Sequence, residues 1–295
     1  MIIMKFGGAA LARAANILIT SQIIKKYSAE AKLVIVVSAM KGITDKLTEV
    51  VNCLNNRQIK KGLIILANIK NIHLSTGKSL NVSVKTQFRI KLLLNNLGRF
   101  IINNRNKKIT ADKIDYILSF GERLSCLIIS NTLKLQDIIV CPIDASQLLA
   151  TDGKFGKAKP LNYKKQESIK KMLQTLIENN ITPIVTGFIG YAPDGRITTL
   201  GRGGSDLTAA YLANLLNADA LYFWKDVDGF YVDDPKKNSQ SLMFNNLSYK
   251  KAEILTKNGA KILHHQTISH IEKNNIPIYI KNFLNPKATG TLITE

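Results

Sequence analysis

Leu200-Gly201-Arg202-Gly203-Gly204-Ser205-Asp206-Leu207-Thr208 is a glycine-rich turn with one arginine and one aspartate that opens directly into a helical pattern. Behind it Ala209, Ala210, Leu212, Ala213, Leu215 and Leu216 recur at helical spacing, so the helix N-terminus and its unpaired N–H groups face the loop. Gly201, Gly203 and Gly204 allow positive φ and omit the Cβ atoms that would keep the backbone from a phosphate oxygen. Such a turn suits phosphate. Glycine turns before helices are also ordinary connections, so its meaning depends on what surrounds it.

Outward from this loop, short apolar runs alternate with helical segments along the whole chain. Strands are expected at 2–6, 33–38, 138–142, 182–187, 220–225 and 276–280, with helices between them. That alternation predicts an α/β sandwich around a largely parallel sheet. Residues 46–134 carry few strand signals and long helical patterns, notably at 63–74 and 86–102, and read as a mostly helical insertion covering one side of the site. No repeat, Gly/Ser linker or compositional break divides the chain.

With 295 residues and 45% hydrophobic content, the chain can bury a large core. Its apolar runs are far shorter than the roughly 18 residues of a membrane span, and Met1-Ile2-Ile3-Met4-Lys5-Phe6 does not read as a signal peptide. A cytoplasmic location with no membrane partner is the expectation. Cys53, Cys126 and Cys141 are odd in number and widely spaced, which fits a reducing compartment and neither a disulfide framework nor a zinc site. The formal charge of +20 raises nucleic-acid binding. The basic residues, however, are mostly lysines dispersed among Asn and Ile, as in Asn103-Asn104-Arg105-Asn106-Lys107-Lys108, so no specific nucleic-acid face is expected.

Other polar clusters sit where strands end, the place where open parallel sheets hold ligands. They are Lys5-Phe6-Gly7-Gly8, Ser38-Ala39-Met40-Lys41-Gly42-Ile43-Thr44-Asp45, Ser119-Phe120-Gly121-Glu122-Arg123-Leu124-Ser125, Lys225-Asp226-Val227-Asp228-Gly229-Phe230-Tyr231 and Asn258-Gly259-Ala260-Lys261. Each has a plain reading too: Lys5 as a solvated strand end, Glu122 and Arg123 as a helix-surface pair, Asp226 and Asp228 as turn formers. In this order, together with Phe155-Gly156-Lys157-Ala158, Gly187-Phe188-Ile189-Gly190 and Asn285-Pro286-Lys287-Ala288-Thr289-Gly290-Thr291, they resemble the catalytic domain of the aspartate kinases, members of the amino-acid kinase superfamily. The resemblance covers nearly the whole chain. It implies a three-layer α/β sandwich of the carbamate kinase-like type and one catalytic domain over 1–295, with ATP and magnesium as co-substrate and cofactor.

The resemblance also implies roles. Lys5 and Lys261 would contact the ATP phosphates, with Gly7, Gly8, Gly203 and Gly204 admitting them closely. Asp206 would orient those lysines or help hold magnesium, while Lys225, Asp226, Tyr231 and Lys236 fall at the nucleotide side. Glu122 would meet the ammonium of L-aspartate and Arg202 its carboxylate, because a guanidinium fork forms two parallel hydrogen bonds to such a group. Ser38, Thr44, Phe188 and Ser205 match the remaining substrate positions. Lys5, Arg202 and Asp206 would be the catalytic set, and no residue cluster reads as a dedicated metal site. The implied reaction phosphorylates the side-chain carboxylate of L-aspartate, the first step toward diaminopimelate, lysine, threonine and methionine. A carboxylate acceptor is already ionised at neutral pH and needs no general base. His73, His264, His265 and His270 are accordingly expected in structural or surface roles.

The chain departs from the family pattern at several positions. Ala9-Ala10 stand where the family usually has Thr-Ser, Lys225 where it has threonine, Lys236 where it has arginine and His265 where it has proline. The sequence ends at Glu295 without the paired ACT modules of most aspartokinases, so an enzyme without intrachain feedback is expected. A homodimer and a separate regulatory subunit both stay open. Other readings also remain: an amino-acid kinase for glutamate, acetylglutamate or carbamate, a nucleotide-binding protein without turnover, and a basic polynucleotide binder.

Overall fold

The computed structural model describes residues 1–161, 166–232, 238, 240–258, 260, 262–263 and 265–295, His265 by its backbone alone. Lys236, Lys261 and His264 lie outside the described residues. In chain order the elements are β1 (Ile2–Phe6), α1 (Ala14–Ser28), β2 (Leu33–Val37), α2 (Ile43–Asn55), α3 (Ile59–Ser79), α4 (Val84–Asn103), α5 (Ala111–Leu118), α6 (Phe120–Lys134) and β3 (Val140–Ile143). Then come α7 (Gln166–Glu178), β4 (Thr182–Thr186), β5 (Ile189–Tyr191), β6 (Ile197–Thr199), α8 (Gly204–Leu216), β7 (Ala220–Lys225), β8 (Phe230–Tyr231), β9 (Met243–Phe244), β10 (Asn246–Ser248), α9 (Tyr249–Lys257), α10 (His265–Glu272), β11 (Ile278–Asn282) and β12 (Thr291–Thr294).

Eight strands form one sheet in the order β10-β12-β11-β7-β1-β2-β4-β3. Every pairing is parallel except β11 with β12. The central strands are buried on both faces, which is why Leu33–Val37 reads as an unbroken apolar run instead of an alternation. Side chains still divide by face. Met4, Phe6, Ile35, Val37 and Trp224 join the core under α1 to α6, whereas Ile3, Val34, Val36, Leu221 and Phe223 join the core under α7 to α10. Burying one such side chain contributes about 1.5–3 kcal/mol, so two cores on one sheet fix its register firmly.

The chain is therefore a three-layer α/β sandwich. The helices between 43 and 134 form part of an outer layer, with α6 lying against β2, β3 and β4 and carrying α2 to α5 outward. β11 starts two residues later than its apolar run suggests, because Pro277 has no N–H for the ladder and Ile276 gives its carbonyl to the Tyr249 hydroxyl at 2.8 Å. All three cysteines are free, and no helix among the described residues is long and apolar enough to cross a membrane.

Candidate active site

The site forms at the C-terminal ends of β1, β2, β4 and β7, where parallel strands deliver their successive loops side by side. On β1 and β7 the register sets Lys5 against Phe223 and Phe6 against Trp224, so Lys225 lies one residue beyond Trp224, level with Gly7. Alternation along each strand turns Lys5 and Lys225 to the same face as Ile3, Leu221 and Phe223, the face covered by α8. Asp206, in the first turn of α8, meets both. Its Oδ1 is 2.5 Å from Lys5 Nζ and its Oδ2 3.0 Å from Lys225 Nζ.

These charges are not equivalent. Lys5 is 6% exposed, and burial lowers its pKa to about 8, against the opposing pull of Asp206 and with the repulsion of Lys225 adding to the lowering. Asp206 is held below the usual carboxylate range although burial pushes the other way, because both lysines favour its ionised form. Asp206 thus acts as a buried anchor for two cations. The glycine turn supplies the rest: Gly203 caps α8 with φ of 74°, and the Asp206 and Leu207 N–H groups both donate to its carbonyl.

Beside Lys5 opens a cavity of about 360 Å³ lined by Gly8, Ser38, Thr44, Glu122, Phe188 and Arg202, with Gly201, Gly203, Gly204 and Ser205 at its floor. Glu122 enters from the first turn of α6 and is 3% exposed. Its Oε1 accepts the Ala39 N–H at 3.1 Å, while Oε2 is buried without a hydrogen-bond partner. Burial pushes its pKa up to about 8. Arg202 sits exposed at the rim, and among the described residues no hydrogen bond or ion pair holds it. One wall carries backbone strain: Phe188 has φ of 72°, unusual for a bulky residue, and is held there by Thr208 Oγ1 on its N–H and by the Leu200 N–H on its carbonyl.

The structure brings together Lys5, Gly8, Ser38, Thr44, Glu122, Phe188, Arg202, Gly203, Gly204 and Ser205 around this cavity, with Asp206 behind Lys5. Gly7, Lys225, Asp226 and Tyr231 lie on the β7 side, away from its lining. Lys236 and Lys261 fall outside the described residues. Glu122 and Arg123 are not a surface pair, since Arg123 turns away to Asp144 at 2.7 Å while Glu122 points into the cavity. Ala10 proves to be a core position, 1% exposed, so the hydroxyl missing there is not missing from the phosphate side. Both oxygens of Asp206 lie within ion-pair distance of an ammonium, which fits the role of orienting the lysines, while Oδ1 has no hydrogen-bond partner among the described residues. No group of three His, Cys, Asp or Glu among the described residues could cage a metal ion.

Three residues near the site were not singled out by sequence reasoning. Lys41, in the loop after β2, and Asp45, in the first turn of α2, line the cavity within the same segment as Ser38 and Thr44. Asp115 is fully buried, accepting the Gly156 and Thr199 N–H groups on Oδ2 at 2.8 and 2.7 Å and the Thr199 hydroxyl on Oδ1 at 2.7 Å. A lone aspartate on an amphipathic helix gives no sequence signal for that.

A parallel sheet with lysines and a glycine-capped helix at its C-terminal edge, facing a pocket with an unpaired carboxylate, is an α/β arrangement suited to charged ligands. Residues 1–282 match the amino acid kinase family, and the chain belongs to that family. Over 301 residues it is 33% identical to aspartokinase 1, chloroplastic, of Arabidopsis thaliana, covering 99% of this chain and 52% of the relative. Lysine-sensitive aspartokinase 3 of Escherichia coli is 30% identical over 302 residues, with 99% of this chain and 64% of the relative covered. The chain thus spans about half to two thirds of these relatives. The crystal structure of E. coli aspartokinase III in complex with aspartate and ADP superposes with a TM-score of 0.91 at 28% identity, over 100% of this chain and 64% of that one. UMP kinase from Bacillus anthracis, 15% identical with a TM-score of 0.55 over 99% of this chain and 95% of that one, shares the fold alone.

Proposed function

We propose that the chain is the catalytic unit of an aspartate kinase, transferring the γ-phosphoryl group of ATP to the side-chain carboxylate of L-aspartate. The observation that carries this is the buried, unpaired Oε2 of Glu122 in a cavity that has Arg202 at its rim and Lys5 at its inner end. An amino acid offers complementary groups to all three: its ammonium to Glu122, its α-carboxylate to the Arg202 fork, and its side-chain carboxylate toward Lys5. The aspartate and ADP bound by the E. coli relative support the same pairing of ligands.

In this mechanism a side-chain carboxylate oxygen of aspartate attacks the γ-phosphorus. The bond to the β–γ bridging oxygen breaks, and ADP leaves with that electron pair. The product is 4-phospho-L-aspartate, a mixed anhydride. No proton has to be removed, which agrees with a cavity lining that contains no histidine among the described residues. Catalysis is then positioning plus charge stabilisation: Lys5, fixed by Asp206, faces the oxygens on which charge shifts, and Gly8, Gly203 and Gly204 admit the phosphates closely. Asp226 and Tyr231 would hold the nucleoside. Magnesium, which keeps oxygen ligands and several waters, would be carried by the phosphates. Assembly as a dimer or with a regulatory subunit, and a cytoplasmic location, belong to the same reading.

The test is ATP-dependent aspartyl hydroxamate formation in the presence of magnesium and hydroxylamine. The native chain is expected to form product, and Lys5→Ala and Arg202→Ala to lose it by at least about a hundredfold. A folded chain that binds ATP and forms none would overturn the assignment of aspartate as acceptor.

A further inference from the structure

Arg123 follows Glu122 in the first turn of α6, and the two side chains leave the helix in different directions, Glu122 into the acceptor cavity and Arg123 toward the end of β3. The guanidinium is held on several sides. Its Nε donates to Asp144 Oδ2 at 2.7 Å, its Nη2 donates to Ser146 Oγ at 3.4 Å, and its Cζ lies 5.7 Å from the centre of the buried Phe120 ring. Asp144 is fixed in turn, because its Oδ1 accepts the Ser146 N–H at 2.9 Å and the Ser146 hydroxyl at 2.7 Å. The next residue ties this turn to the sheet, with the Ala145 N–H donating to Thr186 Oγ1 at the end of β4 at 2.8 Å. With side chains only 16% and 26% exposed, Arg123 and Asp144 form a shielded pair, unlike the open surface pairs that contribute little.

The other flank of the same helix start faces the acceptor loop. The Ser125 hydroxyl donates to the Ser38 carbonyl at 2.6 Å, and Glu122 Oε1 accepts the Ala39 N–H at 3.1 Å. Both contacts reach one short stretch of backbone, so by themselves they leave the helix start free to roll about that line. Arg123 supplies the attachment on the opposite side. Glu122 Oε2 has no hydrogen-bond partner, so the placement of the helix is what aims it. We infer that Arg123 is a positioning residue of the acceptor site: braced on Asp144, it fixes the roll of the first turn of α6 and thereby aims Glu122 Oε2 at the ammonium of the amino-acid substrate. The inference rests on the aspartate kinase reading, which gives Glu122 that ammonium to meet.

The experiment measures steady-state kinetics for aspartate and for ATP, inhibition by succinate, and thermal melting on the full chain, native and with Arg123→Met, Arg123→Lys or Asp144→Asn. Succinate keeps both carboxylates of aspartate and lacks its ammonium, so it reads the cavity without the group that Glu122 meets. Arg123→Met is expected to raise KM for aspartate about tenfold with kcat within about threefold, because the ammonium contact serves ground and transition states alike, and to leave succinate inhibition and KM for ATP within about twofold. Asp144→Asn, which keeps the shape of the pair and removes its charge, should move KM for aspartate in the same direction by less, and it decides the matter should Arg123→Met fail to fold. Arg123→Lys, which keeps the charge without the fork, should recover part of the loss. A lower melting temperature with aspartate and succinate both unaffected overturns the inference, since the pair then serves the fold alone. Equal weakening of aspartate and succinate also overturns it, as does a fall in kcat at constant KM. A native chain that forms no aspartyl phosphate brings down the kinase reading itself, an outcome distinct from all of these.

Discussion

Glu122 and Lys5 have each been moved by burial to the same point on the pH scale from opposite ends of it, both to about 8. For the proposed reaction the carboxyl must be ionised to receive an ammonium, and the amine must be protonated to face phosphate. The kcat/KM for aspartate should therefore be a narrow bell centred near pH 8, its two apparent pKa values belonging to the interacting pair and not to either residue. A profile flat from pH 6 to 9 would refute this. The same burial makes a stability prediction. Burial lets folded Glu122 keep its proton to about 8, against 4.5 for a solvated glutamate. Stability associated with it is thus full at low pH and lost as pH rises through that window. Glu122→Gln should match the native chain near pH 5 and exceed it by on the order of 2 kcal/mol at pH 8.5, while aspartate binding disappears. Calorimetric melting at the two pH values checks the sign.

The arginine loop depends on elements far away in sequence. Asp115 on α5 ties Gly156 and Thr199 together, and a Cβ on Gly201 would come within 2.9 Å of the Gly156 carbonyl. α5, the loop at 153–157 and the end of β6 therefore form a bed on which the Gly201–Arg202 backbone rests. Asp115→Ala would leave two buried N–H groups without acceptors and should destabilise the fold by about 2–4 kcal/mol. Because the bed lies under the arginine and not under the lysines, the variant should raise KM for aspartate more than about tenfold with ADP affinity near native. Asp115→Asn, which keeps an acceptor, should recover part of both. Equal losses of aspartate and ADP affinity would show that the tie holds the whole site and not one loop.

Taken as a whole, the molecule is two helical layers on one sheet, and its layers were unequally legible. β1, β2, β4 and β7 stood out in the sequence because strands buried on both faces are continuous apolar runs. β5, β6, β8, β9 and β10 are two or three residues long, too short for any period to show. Glycines marked where the site would be, since close backbone approach needs them. The partners of Lys225 and Asp115 come from strand register and from contacts across many residues of chain, which no local pattern encodes. The helical layer over α2 to α6 also contains a buried group that its apolar pattern conceals. His73 on α3 is fully buried, bonded through Nδ1 to the Ile69 carbonyl at 2.7 Å, with Nε2 unpaired. Burial lowers its pKa from 6.5 to about 4. The unfolded chain therefore binds a proton that the folded one refuses, and stability falls as pH drops from about 6.5 to about 4, by up to about 3 kcal/mol. Glu122 acts in the opposite sense over part of that range, so the two are separated by comparing variants and not by the native curve alone. Urea denaturation of His73→Leu should show a shallower loss of stability between pH 6.5 and 4.5 than the native chain. An unchanged slope would mean that acid opens the molecule elsewhere than in the layer that carries Glu122.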